Sequence, residues 1–275
     1  MKNILVPTDF SKVSNNAVDY AAEMAVLMGA KITLMNVYHV PLPVTDAPAV
    51  IPDIETIEKI SVAALKEVEK RLALSYGNKL KIECVSKCGF ATDEIDMYAH
   101  SIKADLIIMG MQGAGYISEK LIGSVTTSLI HRSKCPVLAI DEHVKYKIAK
   151  KIALACDYNE IENEKVLEPL KALARSFKAH VYVLNVEREL EPVVFAGQVV
   201  SGFMKLQNSL SNTDHSFHFI TSENVVEGIN EFVEMSEIDM IVMIPRKHSI
   251  LKNMFNEPNS KRMAFHTKVP LLALH

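Results

Sequence analysis

Asp105-Leu-Ile-Ile-Met109 followed by GMQGAGYISEKLIGS, Gly110 to Ser124, is the stretch on which the reading of this chain turns. A short apolar run bounded by polar residues reads as a buried strand, and Val125 to Arg132 has helical spacing, so the segment between them is a long strand-to-helix loop. Loops of this kind hold anions. Gly110 and Gly113 are expected to take positive φ and to let backbone approach a ligand. Gly123-Ser124 opens a helix whose unpaired N–H groups and positive dipole end favour phosphate. Ser124 suits the N-cap position, from which its hydroxyl could turn to a phosphate oxygen instead.

The rest of the first half places this loop in an α/β frame. Asn3 to Val6, ended by Pro7, is a strand, and the turn Thr8-Asp9-Phe10-Ser11 leads into an amphipathic helix from Lys12 to Met28 that Gly29 stops. Lys31 to Tyr38 alternates as a second strand. A Pro-rich connection, Pro41 to Pro52, precedes a helix over Ile54 to Ser75, a strand over Leu80 to Ser86 and a helix over Thr92 to Ser101 with Thr92 as its cap. Asp105 to Met109 and Pro136 to Ile140 are strands four and five. Alternating strands and helices imply a mostly parallel sheet covered on both faces, with ligands beyond the carboxyl ends of its strands. Thr8, Asp9, Met109 and Gly110 all sit at such ends.

Past the polar segment Asp141 to Tyr146 the pattern starts again. Lys151-Ile-Ala-Leu-Ala-Cys-Asp157 echoes Lys2 to Asp9, Ala179 to Val186 echoes Ala30 to Val37, and Val269 to Leu274 echoes Cys135 to Ile140. Three matches in one order predict a duplication, with domains over residues 1–143 and 148–275. The offset shrinks from 148 at the first aspartate to 134 at the final strand, so the second copy is the shorter. It places Ile244, Lys247, Glu257 and Pro258 opposite Gly110, Gly113, Gly123 and Ser124. Arg246, Lys247, His248 and Lys252 could form a substitute cationic site, but a solvated basic loop is the plainer reading. Pro258 suits a first helical position.

Composition excludes several classes. With 275 residues, 49% apolar and 23% charged, the chain is globular in profile, and a net charge of −3 offers no footprint for nucleic acid. No apolar run approaches a membrane span, and a strand-like run straight after Met1-Lys2-Asn3 leaves no signal peptide in view. Cys84, Cys88, Cys135 and Cys156 lack paired spacing, so a reduced, cytoplasmic protein with free thiols is expected. There is no G-x4-G-K-[ST] loop, no G-x-G-x-x-G after Gly113 and Gly115, and no G-x-S-x-G elbow. Glu119 and Lys120 read as a solvent-facing pair, His131 as a partner of the last carbonyls of its helix, and His39 as loop surface. None offers a convincing general base.

The spacing G-x2-G-x9-G-S of Gly110, Gly113, Gly123 and Ser124 resembles the nucleotide-binding signature of the universal stress protein family. Ile4 to Ser11 is similar to that family's first strand and turn, and Ser133-Lys-Cys-Pro-Val-Leu138 to its last helix-to-strand junction. The second copy resembles a divergent member. The resemblance implies a five-stranded, mostly parallel, Rossmann-like α/β sheet in each copy. It also implies adenosine bordered by Pro7, Asp9 and Val37, with Thr8 and Met109 beside them, and ribose and phosphates held by Gly110, Gly113, Gly123, Ser124 and Val125. From the residues alone Asp9 reads equally well as a helix cap. Family members with this loop bind ATP, often with a divalent ion such as Mg2+ on the phosphates, whereas members without it bind none. One nucleotide per chain is therefore expected, as a regulatory or stress-response ligand. A slow Mg-dependent ATPase or phosphoryl-transfer enzyme, or a nucleotide-free interaction protein, are the alternatives. Single-domain relatives dimerise through the last strand, so the fused copies are expected to form an internal pseudo-dimer, with further homodimerisation left open.

Overall fold

The computed structural model describes residues 1–40, 53–112, 122–156, 164–187, 196–245 and 269–275. The expectations for Gly113, Glu119, Lys120, Asp157, the Pro41 to Pro52 connection and the basic loop from Arg246 to Pro258 lie outside these residues.

In the first half the elements run β1 (Asn3–Pro7), α1 (Lys12–Met28), β2 (Lys31–Tyr38), α2 (Ile54–Tyr76), β3 (Lys81–Cys88), α3 (Ala91–Ser101), β4 (Leu106–Gly110), α4 (Ser124–Arg132) and β5 (Val137–Ile140). The second half repeats them as β6 (Lys151–Ala155), α5 (Glu168–Phe177), β7 (His180–Glu187), α6 (Ala196–Ser209), β8 (His215–Thr221), α7 (Val225–Met235), β9 (Met240–Met243) and β10 (Leu271–Ala273). Strand order is 3-2-1-4-5 in one half and, continuing, 10-9-6-7-8 in the other. Every pair is parallel except β5 with β10, which run antiparallel with Leu272 opposite Leu138. The two predicted sheets thus share one ten-stranded sheet. Val137, Leu138, Leu271 and Leu272 are wholly buried at the seam, so each strand covers what would otherwise be an apolar edge.

Helix α1 shows how the sequence sets the layers. Ala17, Ala21, Met24 and Ala25 recur at helical spacing and are fully buried on one face of the sheet with Ile4, Val6, Leu106 and Ile108. The alternate strand residues Leu5, Ile107 and Met109 face the opposite layer, where Ile95 and Leu129 of α3 and α4 meet them. Ser11 caps α1 by accepting from the Ser14 N–H, and Gly29 at φ 62° ends it in the left-handed conformation that glycine adopts without a Cβ clash. Thr92, expected as a cap, lies inside α3. Gly89 N–H bonds back to Tyr38 O at 3.0 Å, turning the chain early, and the helix starts at Ala91 behind Phe90 with no side-chain cap.

The repeat extends to individual bonds. Asp105 Oδ2 accepts from the N–H groups of Lys2 and Asn3 at 2.6 and 3.0 Å, and Asp239 Oδ2 accepts from those of Lys150 and Lys151 at 2.8 and 3.0 Å. Asn36 Nδ2 donates to Thr8 O at 2.7 Å, and Asn185 Nδ2 to Cys156 O at 3.3 Å. These carboxamides and carboxylates tie each first strand to its neighbours whatever the loops contain.

Candidate functional site

The order 3-2-1-4-5 reverses direction between β1 and β4, and a crevice opens there beyond the strand ends, as open α/β sheets require. One wall is the β1 to α1 turn. Thr8 is buried; its N–H donates to Met35 O at 2.8 Å, and its carbonyl is held by Asn36, whose Oδ1 accepts from Ser61 at 2.7 Å. Thr8 Oγ1 accepts from the Phe10 N–H and meets Ser14 Oγ, both at 3.0 Å. Asp9 Oδ1 accepts from the Ser11 N–H at 3.0 Å and stays exposed. Ser11, not Asp9, is the cap of α1, so the capping account of Asp9 is set aside and its carboxylate stands at the turn. Phe10 sits at φ 64°, an uncommon conformation for a residue with a Cβ that costs about 1–2 kcal/mol. Asn15 Nδ2, donating to Phe10 O at 2.9 Å, helps to hold it.

The opposite wall is β4 and the start of α4. Gly110 pairs with Ile140 as the last residue of β4, and its carbonyl accepts from Thr126 Oγ1 at 2.8 Å. Two expectations are corrected here. Gly110 is not at positive φ; it is extended strand, and what demands glycine is space. A Cβ there would lie 2.8 Å from Val13 Cγ1 and 3.2 Å from both Gln112 O and Ser14 N. Nor is Ser124 the cap of α4. Gly123, extended at φ −62° and ψ 151° with its N–H on Met111 O at 2.6 Å, takes that position, and Ser124 becomes the first helical residue, exposed. No side chain caps α4, so its positive end faces the crevice.

Together the walls enclose a cavity of about 450 Å³, inside the roughly 300–1,000 Å³ range of small-molecule sites. Pro7, Thr8, Asp9, Val37, Met109, Gly110, Gly123, Ser124 and Val125, all named from sequence, line it. Ser14, Met35, Ala91, Ile95, Gln112 and Thr126 line it too and were missed. Ala91 and Ile95 reach it by the packing of α3, which no local signal announces; Ser14 had one, in the Ser11-x-x-Ser14 spacing of the α1 cap. Asp9 is the one charged residue among these lining residues. His131 and His39 are not among them. Burial lowers the pKa of His131, and His39 leans on the Phe90 ring with centroids 5.5 Å apart. Among the described residues no cluster of three His, Cys, Asp or Glu is arranged to hold a metal, and no helix is long and apolar enough to cross a membrane.

Fold and crevice together define a doubly wound α/β protein with a ligand-sized cavity at the topological switch of its first half. Residues 1–141 match the universal stress protein family, and the chain belongs to that family. It is 33% identical over 148 residues to a universal stress protein of Methanocaldococcus jannaschii, a match covering 52% of this chain and 84% of the relative. It is 30% identical over 139 residues to one of Synechocystis, covering 50% and 85%. The crystal structure of a universal stress protein from Archaeoglobus fulgidus superimposes with a TM-score of 0.69 at 19% identity, covering 98% of this chain and 95% of that one. That last likeness speaks to the fold across both halves.

Proposed function

We propose that this is a tandem universal stress protein, with domains over residues 1–143 and 148–275, that binds one adenine nucleotide, ATP, in the first domain as a regulatory ligand with little or no turnover. The cavity at the carboxyl ends of β1 and β4 carries the reading: an uncapped helix N-terminus and a glycine that tolerates no Cβ lie on one side, and an apolar wall of half-buried Val37 and buried Met35 on the other. The first suits phosphates and the second a base. In this reading Gly110, Gly113, Gly123, Ser124 and Val125 hold ribose and phosphates, and Pro7, Thr8, Asp9, Val37 and Met109 border the nucleoside. Phosphates held there would carry any Mg2+, which would supply charge neutralisation. The second domain, with Ile244 and Lys247 in place of the first two loop glycines, binds no nucleotide. It serves instead as the fixed partner of an internal pseudo-dimer, a reading supported by the antiparallel β5 and β10 pairing. Four free cysteines fit a reducing, cytoplasmic setting.

The test is purified protein with ATP, following both retained nucleotide and released ADP. Tight binding with negligible turnover is expected. Steady ADP release would establish the enzymatic alternative, and no retention the nucleotide-free one. Gly113→Val is expected to abolish binding because a branched side chain fills phosphate space; unchanged affinity would overturn the site assignment.

A further inference from the structure

The second half carries a hydrogen-bonded chain that its duplicate lacks. On one face of β7 and β8, His180 Nδ1 lies 3.0 Å from Asp214 Oδ2, His180 Nε2 lies 2.8 Å from Ser216 Oγ, and the same Oγ lies 2.8 Å from His218 Nε2. Chemistry orders the protons. A carboxylate only accepts, so Nδ1 of His180 bears hydrogen and its Nε2, in the neutral ring, accepts from the Ser216 hydroxyl. That hydroxyl has one hydrogen, so His218 must donate its own Nε2–H to Ser216 Oγ. His218 is held below the usual histidine pKa by burial and by His180, so it is neutral near pH 7 and offers one N–H.

The first half shows what this place holds when it is only surface. Ala30-Lys31-Ile32 corresponds to Ala179-His180-Val181, and Glu83, opposite Thr33, corresponds to Ser216, opposite Tyr182. There Lys31 Nζ and Glu83 form an ordinary ion pair at 2.9 Å. In the second half the pair is replaced by a carboxylate, an imidazole, a hydroxyl and a second imidazole in line. Aromatic rings frame them: Tyr182 stands 4.7 Å from His180 and 5.2 Å from His218, with Phe232 of α7 5.1 Å from His218, centroid to centroid. The chain begins at the amino-terminal ends of β7 and β8, whereas the cavity of the first half lies beyond carboxyl ends, so the two sites are separate.

We propose that Ser216 is a nucleophile for small, uncharged carboxylic esters, with His180 as general base, Asp214 as the positioning residue that fixes its tautomer, and His218 as donor to the developing oxyanion, its Nε2–H passing from Ser216 Oγ to the former carbonyl oxygen as the new bond forms. Ser216 Oγ bonds to the ester carbonyl carbon as its proton passes to His180 Nε2. The tetrahedral adduct collapses, the bond to the alcohol oxygen breaks, and that oxygen takes the proton from His180. Water then attacks the acyl-serine carbonyl, giving its proton to His180, which returns it to Ser216 as the carboxylic acid departs. Tyr182 and Phe232 supply the apolar surface for a short acyl group. Asp214 is 79% exposed, so it orients the ring more than it stabilises its charge, and slow turnover is expected.

The full chain is incubated with a fluorophosphonate and adducts are mapped by peptide mass; 4-nitrophenyl acetate hydrolysis is followed in parallel. A single adduct on Ser216 is expected, formed with loss of fluoride. His180→Ala should slow labelling about 100-fold, and Ser216→Ala should remove the adduct and the hydrolysis above background. Asp214→Asn should slow labelling less, because the ring loses the partner that fixes its tautomer while the base itself stays. His218→Phe should slow hydrolysis while leaving the base in place. No adduct on Ser216 of the unaltered protein, or an adduct formed as fast in His180→Ala, overturns the proposal. Both readouts on the parent chain are independent of whether any variant folds.

Discussion

Replacing Gly110 by alanine separates two accounts of that glycine. In a strand at ordinary φ, Gly→Ala removes freedom from the unfolded chain and should stabilise by about 0.4–1 kcal/mol. Here the added Cβ would sit 2.8 Å from Val13 Cγ1, on a stiff β-branched side chain in the first turn of α1, and 3.2 Å from two backbone atoms. Overpacking of this kind costs about 1–3 kcal/mol. The clash wins, and Gly110→Ala should be destabilised by about 1–2 kcal/mol, a fall in Tm of about 2–8 °C for a chain near this size. Val13→Ala removes the offending methyl, so the double variant should be more stable than the sum of the singles by about 1 kcal/mol, beyond the ~0.3–0.5 kcal/mol within which independent sites add. Urea melts of the four proteins measure this directly. A Gly110→Ala protein more stable than the parent, or strictly additive effects, would refute the packing account.

Three further outcomes follow from particular groups. Asp239 accepts from Lys150 and Lys151 N–H and pairs with Lys147 at 2.6 Å; burial raises its pKa, but these partners outweigh it and hold the carboxyl below its usual range. Its stabilisation is therefore complete above the unfolded pKa near ~3.9 and lost as pH falls through the lower folded value, and Asp239→Ala should cost about 2–3 kcal/mol at pH 7 in urea melts, more than the exposed Asp105→Ala. The His275 pKa is lowered to about 4, first by burial and then by His131, so the unfolded chain binds its proton first and stability should drain away between pH ~6.5 and about 4, by about 3 kcal/mol in all. His275→Asn should flatten melts across that window, and an unchanged slope would refute the assignment. Iodoacetamide on the native chain should label the exposed Cys88 first, because burial pushes the thiols of Cys84 and Cys135 up to about 11 and about 12 and Cys156 is buried; equal rates by mass spectrometry would contradict this.

Much of the first half was legible because its signals are local. Lys12 to Met28 with a capping turn before it and Gly29 after it is a complete helix in sequence, and the structure returns the same bounds. Strand runs of Ile, Leu and Val between polar residues located β1, β2 and β4 to within a residue. What failed was the assignment of roles among neighbours. Whether Asp9 or Ser11 caps α1 depends on which side chain meets the N–H groups of the first turn, and both residues carry suitable oxygens. Gly110 was given a conformational reason when its reason is steric, visible only once α1 crosses β4. Phe10 in the left-handed region runs against its residue type, and no signal in the sequence announces it. The contribution of α3 to the cavity comes from packing between distant segments, whereas the meeting of the two last strands was expected from the family resemblance and β5 does pair with β10.

Because the second half repeats the element order of the first, the two halves together separate framework from variable positions more sharply than either could alone. Asp105 and Asp239, and Asn36 and Asn185, make the same bonds in both halves, so those bonds serve the fold. Thr8 is different. Its hydroxyl gathers the Phe10 N–H and the Ser14 hydroxyl into the turn beneath the cavity, and its counterpart is Cys156, whose sulfur is a weak acceptor. The backbone bond that follows the strand survives the exchange, Thr8 N–H to Met35 O becoming Cys156 N–H to Leu184 O. Lys31 and Glu83 against His180 and Ser216 show the reverse, a plain ion pair in one half and a hydrogen-bonded imidazole and hydroxyl in the other. Polar groups at equivalent places thus differ where they do not fasten a strand, and the side chains peculiar to each half stand at opposite ends of the same sheet: Thr8 at the carboxyl end of β1, and His180 and Ser216 at the amino ends of β7 and β8.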